Sequence, residues 1–195
     1  MYLGPEIDDH EILARAPVEY RELLETVNGY VAYHGGLHVR GVCSGPPWHS
    51  LRGAWFGDDA IHRLFSAVSP ADVPFGQDAL GDQFVLREDC VWKLNSEWGE
   101  LTSLHMTLSA FDAAARADPA GFLQLAPLQE FRSQGGTLEP GQLLSVIPPF
   151  VFEESASGVS YRPVPAFERL RFLSDLARTL KNEPDGTRVS LRRSR

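Results

Sequence analysis

Three short apolar runs separated by turn residues lie between residues 82 and 104, and they constrain the fold more than any other feature of the chain. The runs occupy residues 83–86, 91–94 and 101–104, and the spacers contain paired acidic residues and a glycine. Apolar runs of this length with short polar spacers are typical of consecutive antiparallel strands. The sequence therefore predicts a meander within a central, mainly antiparallel sheet.

The pair Gly81-Asp82 stands directly before the first of these runs. A phosphate loop would need several clustered glycines between a strand and a helix, whereas here the chain runs into a strand. A short carboxylate at a strand entry can accept hydrogen bonds from the amides of a turn. We expect this structural role for Asp82 rather than a catalytic one.

Other periodicities predict helices around the sheet. Residues 17–29 have apolar positions near helical spacing and end at Asn28-Gly29, where both residues tolerate the left-handed conformation. Asp58-Asp59 is predicted to cap a short helix that runs to residue 67. Residues 166–181 form the clearest amphipathic pattern. Further predicted elements are strands at 30–33, 37–43, 143–154 and 159–165, a connector at 69–74, and helices at 109–117, 119–125 and 127–133.

These elements predict an α+β fold, with helices packed against the central sheet. We expect residues 1–133 to form one α+β domain and residues 134–195 to form a C-terminal extension packed on the same domain. The extension would contain two strand segments, the helix at 166–181 and an alternating tail that could be a last strand.

Composition narrows the class of protein. The formal net charge is −8, and acidic residues dominate up to residue 160 while basic residues dominate after it. An acidic body repels nucleic acid and attracts basic partners, although it also simply keeps a protein soluble. The four arginines of the tail lack interleaved aromatic residues, so we expect no direct nucleic-acid binding.

The same sequence predicts a cytoplasmic location. The acidic N-terminal segment lacks the basic and apolar regions of a secretory signal. Two cysteines, Cys43 and Cys90, cannot build a disulfide framework. No apolar run approaches the roughly 20 residues that a membrane helix requires.

The order of the motifs resembles the SUKH superfamily, the domains related to the yeast Smi/Knr cell-wall-synthesis regulators. An initial helix ends in Asn-Gly, a Gly-Asp-x-Phe strand and a Val-Trp strand follow, and a helix containing SAFDAAARAD closes the unit. The resemblance covers about residues 11–125. The residues that carry it are Asn28, Gly29, Gly81, Asp82, Phe84, Val91 and Trp92.

This resemblance implies a domain without enzymatic activity and without a cofactor. In bacteria, such domains typically bind and neutralise a cognate toxin, often a nuclease or a deaminase, so the chain is expected to be an immunity protein of a polymorphic or contact-dependent system. The alternative within the same fold is a housekeeping regulatory or scaffold protein. A small hydrolase or metalloenzyme is a third, less favoured reading.

The residues themselves offer little support for catalysis or for a metal. His34 and His38 have the spacing of a helical zinc pair, but Gly35-Gly36 between them disfavours a helix. On a strand, residues four apart are separated by about 13 Å, which is too far for one metal ion. We therefore predict neither a metal site nor a catalytic residue.

Loops are the expected location of a binding surface. Paired carboxylates in the predicted turns could match the basic groove of a nuclease toxin and would give fast, salt-sensitive association. A tryptophan between them is a typical hot-spot residue. The candidate partner-binding residues are Asp58, Asp59, Glu88, Asp89, Glu97, Trp98 and Glu100.

Overall fold

A computed structural model describes residues 1–181 of the chain. Its centre is a seven-stranded sheet in which each strand pairs antiparallel with the next along the chain. The strands are β1 (Tyr2–Leu3), β2 (Tyr30–Ala32), β3 (Leu37–Val39), β4 (Val73–Asp78), β5 (Gln83–Arg87), β6 (Cys90–Asn95) and β7 (Glu100–Ser103). A separate antiparallel hairpin consists of β8 (Gln142–Ile147) and β9 (Ser160–Pro165).

Helices surround the sheet, and the fold is α+β as the sequence predicts. They are α1 (His10–Arg15), α2 (Val18–Thr26), α3 (Leu51–Phe56), α4 (Ile61–Leu64), α5 (Leu108–Ala117), α6 (Pro119–Phe122), α7 (Ala126–Ser133) and α8 (Ala166–Leu180). Short 3-10 turns occupy Tyr33–Gly35 and Glu153–Ser157. Within residues 1–181, no helix is both long and apolar enough to span a bilayer.

The turn chemistry of the meander explains its register. Glu88 and Asp89 connect β5 to β6 with positive φ angles of 50° and 61°. A two-residue turn with both φ angles positive matches the right-handed twist of the flanking strands. Four residues connect β6 to β7, and the last of them, Gly99, has a φ of 68°.

Alternation along β5 divides the core between the two faces of the sheet. Phe84 packs on the face that carries α1, α2 and α5, whereas its neighbour Val85 packs on the opposite face beneath α4 and α8. Successive strand residues point to opposite faces, so this strand must be apolar at consecutive positions. Both are buried, and so is Leu86.

The C-terminal segment contributes to this second face. Leu143 of β8 and Leu173 of α8 belong to the same buried cluster as Val85 and Leu94 of the sheet. The amide of Leu144 also donates a 2.7 Å hydrogen bond to the carbonyl of Ala79 in the β4–β5 turn. β8 and α8 are therefore packed directly on the meander.

Several predicted elements need correction. The segment 69–74 was expected to be a connector, but residues 73–74 already belong to β4, because Val73 and Phe75 are buried against the sheet. The predicted helix cap at Asp58-Asp59 is wrong, since α4 begins at Ile61 with Ala60 in the cap position. β2 and β3 are also shorter than the strands that the sequence predicts at 30–33 and 37–43.

The remaining differences concern the end of β8 and the last residues of the chain. The strand predicted at 143–154 ends at Ile147, because the two prolines that follow interrupt its ladder. Residues 182–195, where an alternating strand or tail was expected, lie outside the described residues.

Candidate functional site

Separate chain segments converge where β6 leads into β7 and enclose an open groove of about 590 Å³. Trp98, in the β6–β7 loop, and Phe150, after β8, form its aromatic wall. They expose 47% and 43% of their surface, although large aromatic side chains are usually buried in a folded protein. We name this feature the Trp98 groove; its principal lining residues are Leu80, Glu97, Trp98, Phe150, Arg169 and Leu173.

The conformation of the β6–β7 loop fixes the position of Trp98. The Asn95 carboxamide oxygen accepts hydrogen bonds from the amides of Glu97 and Trp98, both at 3.1 Å, which is the pattern of an Asx turn. The Gly99 amide donates a 2.8 Å hydrogen bond to the Asn95 carbonyl. The loop is therefore held by its own backbone and presents the indole to solvent.

Glu97 joins this loop to two other segments. Its carboxylate accepts hydrogen bonds from the amides of Phe150 and Val151, at 3.3 and 3.0 Å. It also lies 3.6 Å from the guanidinium of Arg169 on α8. Burial raises the pKa of Glu97, and Arg169 and the two amides oppose that rise. Glu97 thus holds the segments of the groove together, whereas the Trp98 side chain is exposed on its surface.

Arg169 is a buried cation with incomplete hydrogen bonding. Its side chain is 1% exposed, and its Nε donates a long 3.4 Å hydrogen bond to the carbonyl of Leu80. Its Nη1 has no hydrogen-bond partner among residues 1–181. Helical spacing is the sequence signal for the burial of Arg169. It lies three residues after Ala166 and four before Leu173, which are both buried on the same face of α8.

Asp82, which lines the groove, is part of a cluster of charged side chains. Lys93 on β6 lies 3.3 Å from the carboxylate of Asp78 and 3.1 Å from that of Asp82. Burial alone would lower the pKa of Lys93, but the two carboxylates outweigh it and the pKa is raised. Burial and the neighbouring Asp82 raise the pKa of Asp78, against the influence of Lys93.

The two aspartates have different structural roles. One oxygen of Asp78 accepts the amides of Leu80, Gly81 and Asp82 at 2.9 to 3.1 Å, so Asp78 holds the β4–β5 turn. Asp82 instead accepts the amide of Ser96 at 2.8 Å and connects this turn to the β6–β7 loop. The sequence located the turn correctly but missed Asp78 as its acceptor.

Gly81 is required by space as well as by conformation. Its φ is 102°, and a Cβ atom there would lie 3.0 Å from a methyl group of Leu173 and 3.3 Å from one of Leu143. The glycine therefore allows the β4–β5 turn to contact α8 and β8 closely.

The other residues of the family-like pattern are also internal. Asn28 accepts the amide of Val42 at 2.7 Å and donates to the carbonyl of Pro5 at 2.8 Å, while Gly29 has a φ of 73°. α2 ends at Thr26, so this pair ties two loops together beyond the helix.

The strand residues of the pattern lie on both faces of the meander. Phe84 and Val91 are buried in the first core cluster. Trp92 is half-buried on the opposite face, where the guanidinium of Arg87 lies 4.9 Å from its ring centroid.

The acidic candidates do not form one surface. Glu88 and Asp89 are exposed at the opposite end of β6 from Trp98, and six strand residues at about 3.3 Å each separate the two ends by on the order of 20 Å. Asp59 forms a bidentate pair with Arg171, and Asp58 is fully exposed beside it. Only Glu97, Trp98 and the exposed Glu100 share the β6–β7 loop region.

Two histidines that are distant in sequence meet in the core. His38 Nε2 lies 2.9 Å from His49 Nδ1, and both side chains are buried. His49 Nε2 lies 3.0 Å from the carbonyl of Asn28, so it must donate there. His49 Nδ1 then accepts from His38, and His38 Nδ1 accepts from the Gln77 amide at 3.2 Å. Both rings are neutral in this chain of hydrogen bonds.

Arg40 anchors the other end of this network. Its guanidinium donates to the side-chain oxygens of Gln77 and Gln83 at 2.9 and 2.7 Å. Burial, followed by Arg40 and His49, holds the pKa of His38 well below its usual range, and burial lowers that of His49. Since the paired nitrogens are used within the protein, this network stabilises the core.

The histidine spacing considered in the sequence does not produce a pair. His34 lies in the 3-10 turn after β2, while His38 is in β3 and contacts His49 instead. Residues 1–181 contain no group of three or more His, Cys, Asp or Glu side chains arranged to hold a metal ion. The contact between His38 and His49 could not be predicted from the sequence, because a proline-rich loop separates the two residues.

Comparisons with known proteins bear on the fold alone. No protein-family model matches the chain, and no curated protein matches it. The crystal structure of Atu4351 from Agrobacterium tumefaciens is similar, with a TM-score of 0.54 and 16% sequence identity over 89% of this chain and 84% of that one. At this identity, the similarity shows a shared fold and carries no function to this chain.

Proposed function

We propose that this chain is a non-enzymatic protein-binding module that acts as an immunity protein, and that the Trp98 groove is its partner-binding site. The toxin that it neutralises is encoded by a neighbouring gene. Support comes from the resemblance of its motif order to the SUKH superfamily and from one structural observation, the exposed pair Trp98 and Phe150 beside a groove.

The groove has the anatomy of an interaction hot spot. Trp side chains dominate the binding energy of many interfaces, particularly when they border a depression that excludes water. Trp98 is held by a structured loop, so little conformational entropy is lost when a partner contacts it. Leu80 and Leu173 provide apolar surface at the base of the groove.

Charge indicates the chemistry of the partner. Asp82 and Glu97 line the groove but are already paired with Lys93 and Arg169. Glu100 is exposed at the end of the same loop, and Glu153 and Glu154 are exposed just after Val151. A lysine or arginine side chain could stack on the Trp98 ring and face these carboxylates. The partner surface therefore carries a basic side chain flanked by apolar groups, as in the substrate groove of a nuclease toxin.

The direct test is co-expression with the toxin domain encoded beside the gene. We expect the two proteins to copurify and the cells to survive toxin induction. Trp98→Ala should weaken the complex by tenfold or more, about 1.4 kcal/mol or above. Phe56→Ala is the matched control, because Phe56 is an exposed aromatic residue on α3, away from the groove.

Contrary outcomes are clearly defined. Absence of a complex and of protection would refute the immunity function. A complex that is insensitive to Trp98→Ala but lost in an E88Q/D89N double variant would place the interface at the opposite end of β6 and refute the Trp98 groove as the site.

A further inference from the structure

A second groove, with different chemistry, borders α6 as the Trp98 groove does. It opens between the segment that follows β2 and the helices α5, α6 and α7, and its volume is about 740 Å³. Ligand sites for small organic molecules occupy clefts of roughly 300 to 1,000 Å³. We name it the Tyr33 groove; its principal lining residues are Tyr30, Tyr33, His34, Arg116, Leu128 and Arg132.

The walls combine flat apolar surface with cationic groups. Tyr30 and Tyr33 provide aromatic surface on one side, and Leu125 and Leu128 provide aliphatic surface on the other. Burial, reinforced by Asp112, raises the pKa of Tyr30, so its phenol remains neutral. A planar apolar body is the shape that such walls accommodate.

The charge of the groove is opposite to that of the chain. Asp112 is already neutralised, because the guanidinium of Arg116 lies 2.8 Å from its carboxylate and the Tyr30 hydroxyl donates to it at 3.4 Å. Arg132, in the last turn of α7, forms no side-chain hydrogen bond or ion pair with any other part of residues 1–181. In a protein with a net charge of −8, this cation is available to an anionic group.

The rim of the same groove includes two adjacent non-glycine residues in the left-handed region. Tyr33 and His34 have φ angles of 52° and 59°, and Gly35 follows with 97°. A non-glycine residue in the left-handed region costs on the order of 1 kcal/mol, and such residues cluster at ligand clamps. Here the strained turn places two ring side chains on the lining of the groove.

From these observations we infer that the Tyr33 groove binds a small organic anion with a planar apolar body, such as an aromatic carboxylate, sulfonate or phosphate ester. The rings of Tyr30 and Tyr33 contact its flat face, and Arg132 pairs with its anionic group. This site is independent of the proposed toxin-binding function.

The experiment titrates the full chain with 1-anilinonaphthalene-8-sulfonate and measures its fluorescence. We expect saturable binding of one probe per chain. Arg132→Gln should weaken it about tenfold or more, because a charge-assisted hydrogen bond is lost. Gln129→Trp, which fills the groove from an exposed position of α7, should also weaken it. Arg162→Gln, at an exposed position of β9, is the charge-matched control and should bind like the unmodified chain.

An uncharged probe with a similar ring system, N-phenyl-1-naphthylamine, separates charge from hydrophobic contact. It should bind more weakly and be unaffected by Arg132→Gln, yet it should lose binding with Gln129→Trp. The inference is overturned if Arg132→Gln and Arg162→Gln bind the sulfonate equally well, or if Gln129→Trp leaves both titrations unchanged.

Discussion

Acidification is expected to destabilise this protein through the buried pair His38 and His49. Each ring nitrogen of the pair has an assigned role: His49 donates to the carbonyl of Asn28, His38 donates to His49, and Gln77 donates to His38. Protonation of either ring would turn an acceptor into a donor and leave two donors facing each other. Arg40, in the same network, adds repulsion to any positive charge that forms there.

The sign and size of the effect follow from the lowered pKa values. Because the folded-state pKa of His38 lies below the unfolded value of about 6.5, its stabilising contribution is present above that pH and declines as the pH falls. At about pH 5, a histidine that stays neutral only in the folded state costs about 2 kcal/mol. The lowered pKa of His49 adds to this loss in the same direction.

Urea denaturation between about pH 8 and pH 5 measures this loss. Asp78 and Glu97 act in the opposite direction, since their raised pKa values stabilise the fold as the pH falls. The comparison is therefore made against His38→Gln, which should reduce the loss of stability at about pH 5 by about 2 kcal/mol. His10→Gln, at an exposed position of α1, should retain the full sensitivity. Equal pH dependence in all three proteins would refute the neutral-pair reasoning.

Two substitutions test the turns beneath the Trp98 groove. Lys93→Met should lower the free energy of unfolding by about 3 kcal/mol at neutral pH, because it leaves the largely buried carboxylates of Asp78 and Asp82 without their cation. The deficit should shrink as the pH falls and Asp78, whose pKa is raised, becomes protonated; a deficit that is constant with pH would contradict this assignment. Gly81→Ala should cost about 2 kcal/mol, since it combines a positive φ with a contact to Leu173, and a change below about 0.5 kcal/mol in calorimetric unfolding would show that the turn relaxes freely.

Local pattern was sufficient for much of the fold. The meander and α8 were predicted within one or two residues, because turn chemistry and helical periodicity are both local signals. Most of β4 was not predicted, because Pro74 and Gly76 are typical of a connector. Its strand conformation depends on pairing with the neighbouring strands. The short strand β1 is stabilised by pairing with β2, a contact that lies far away in sequence.

The site was less accessible to sequence reasoning. Trp98 was identified because a tryptophan in a polar turn is unusual, and the structure exposes it. Glu97 was expected on the surface, but its carboxylate is consumed by Val151 and Arg169, which follow it by more than fifty residues. Phe150 was not among the candidates, because the exposure of its side chain depends on tertiary packing and not on a local sequence pattern.

The affinity of the purified chain for the toxin domain encoded beside its gene, measured by isothermal titration calorimetry, tests the central claim most directly. The account predicts a one-to-one complex whose dissociation constant rises by tenfold or more with Trp98→Ala and is unchanged by Phe56→Ala. The binding should also weaken as salt concentration rises, since Glu100, Glu153 and Glu154 are exposed on the segments that form the groove. A complex of equal affinity for all three proteins, or no measurable binding, would contradict it.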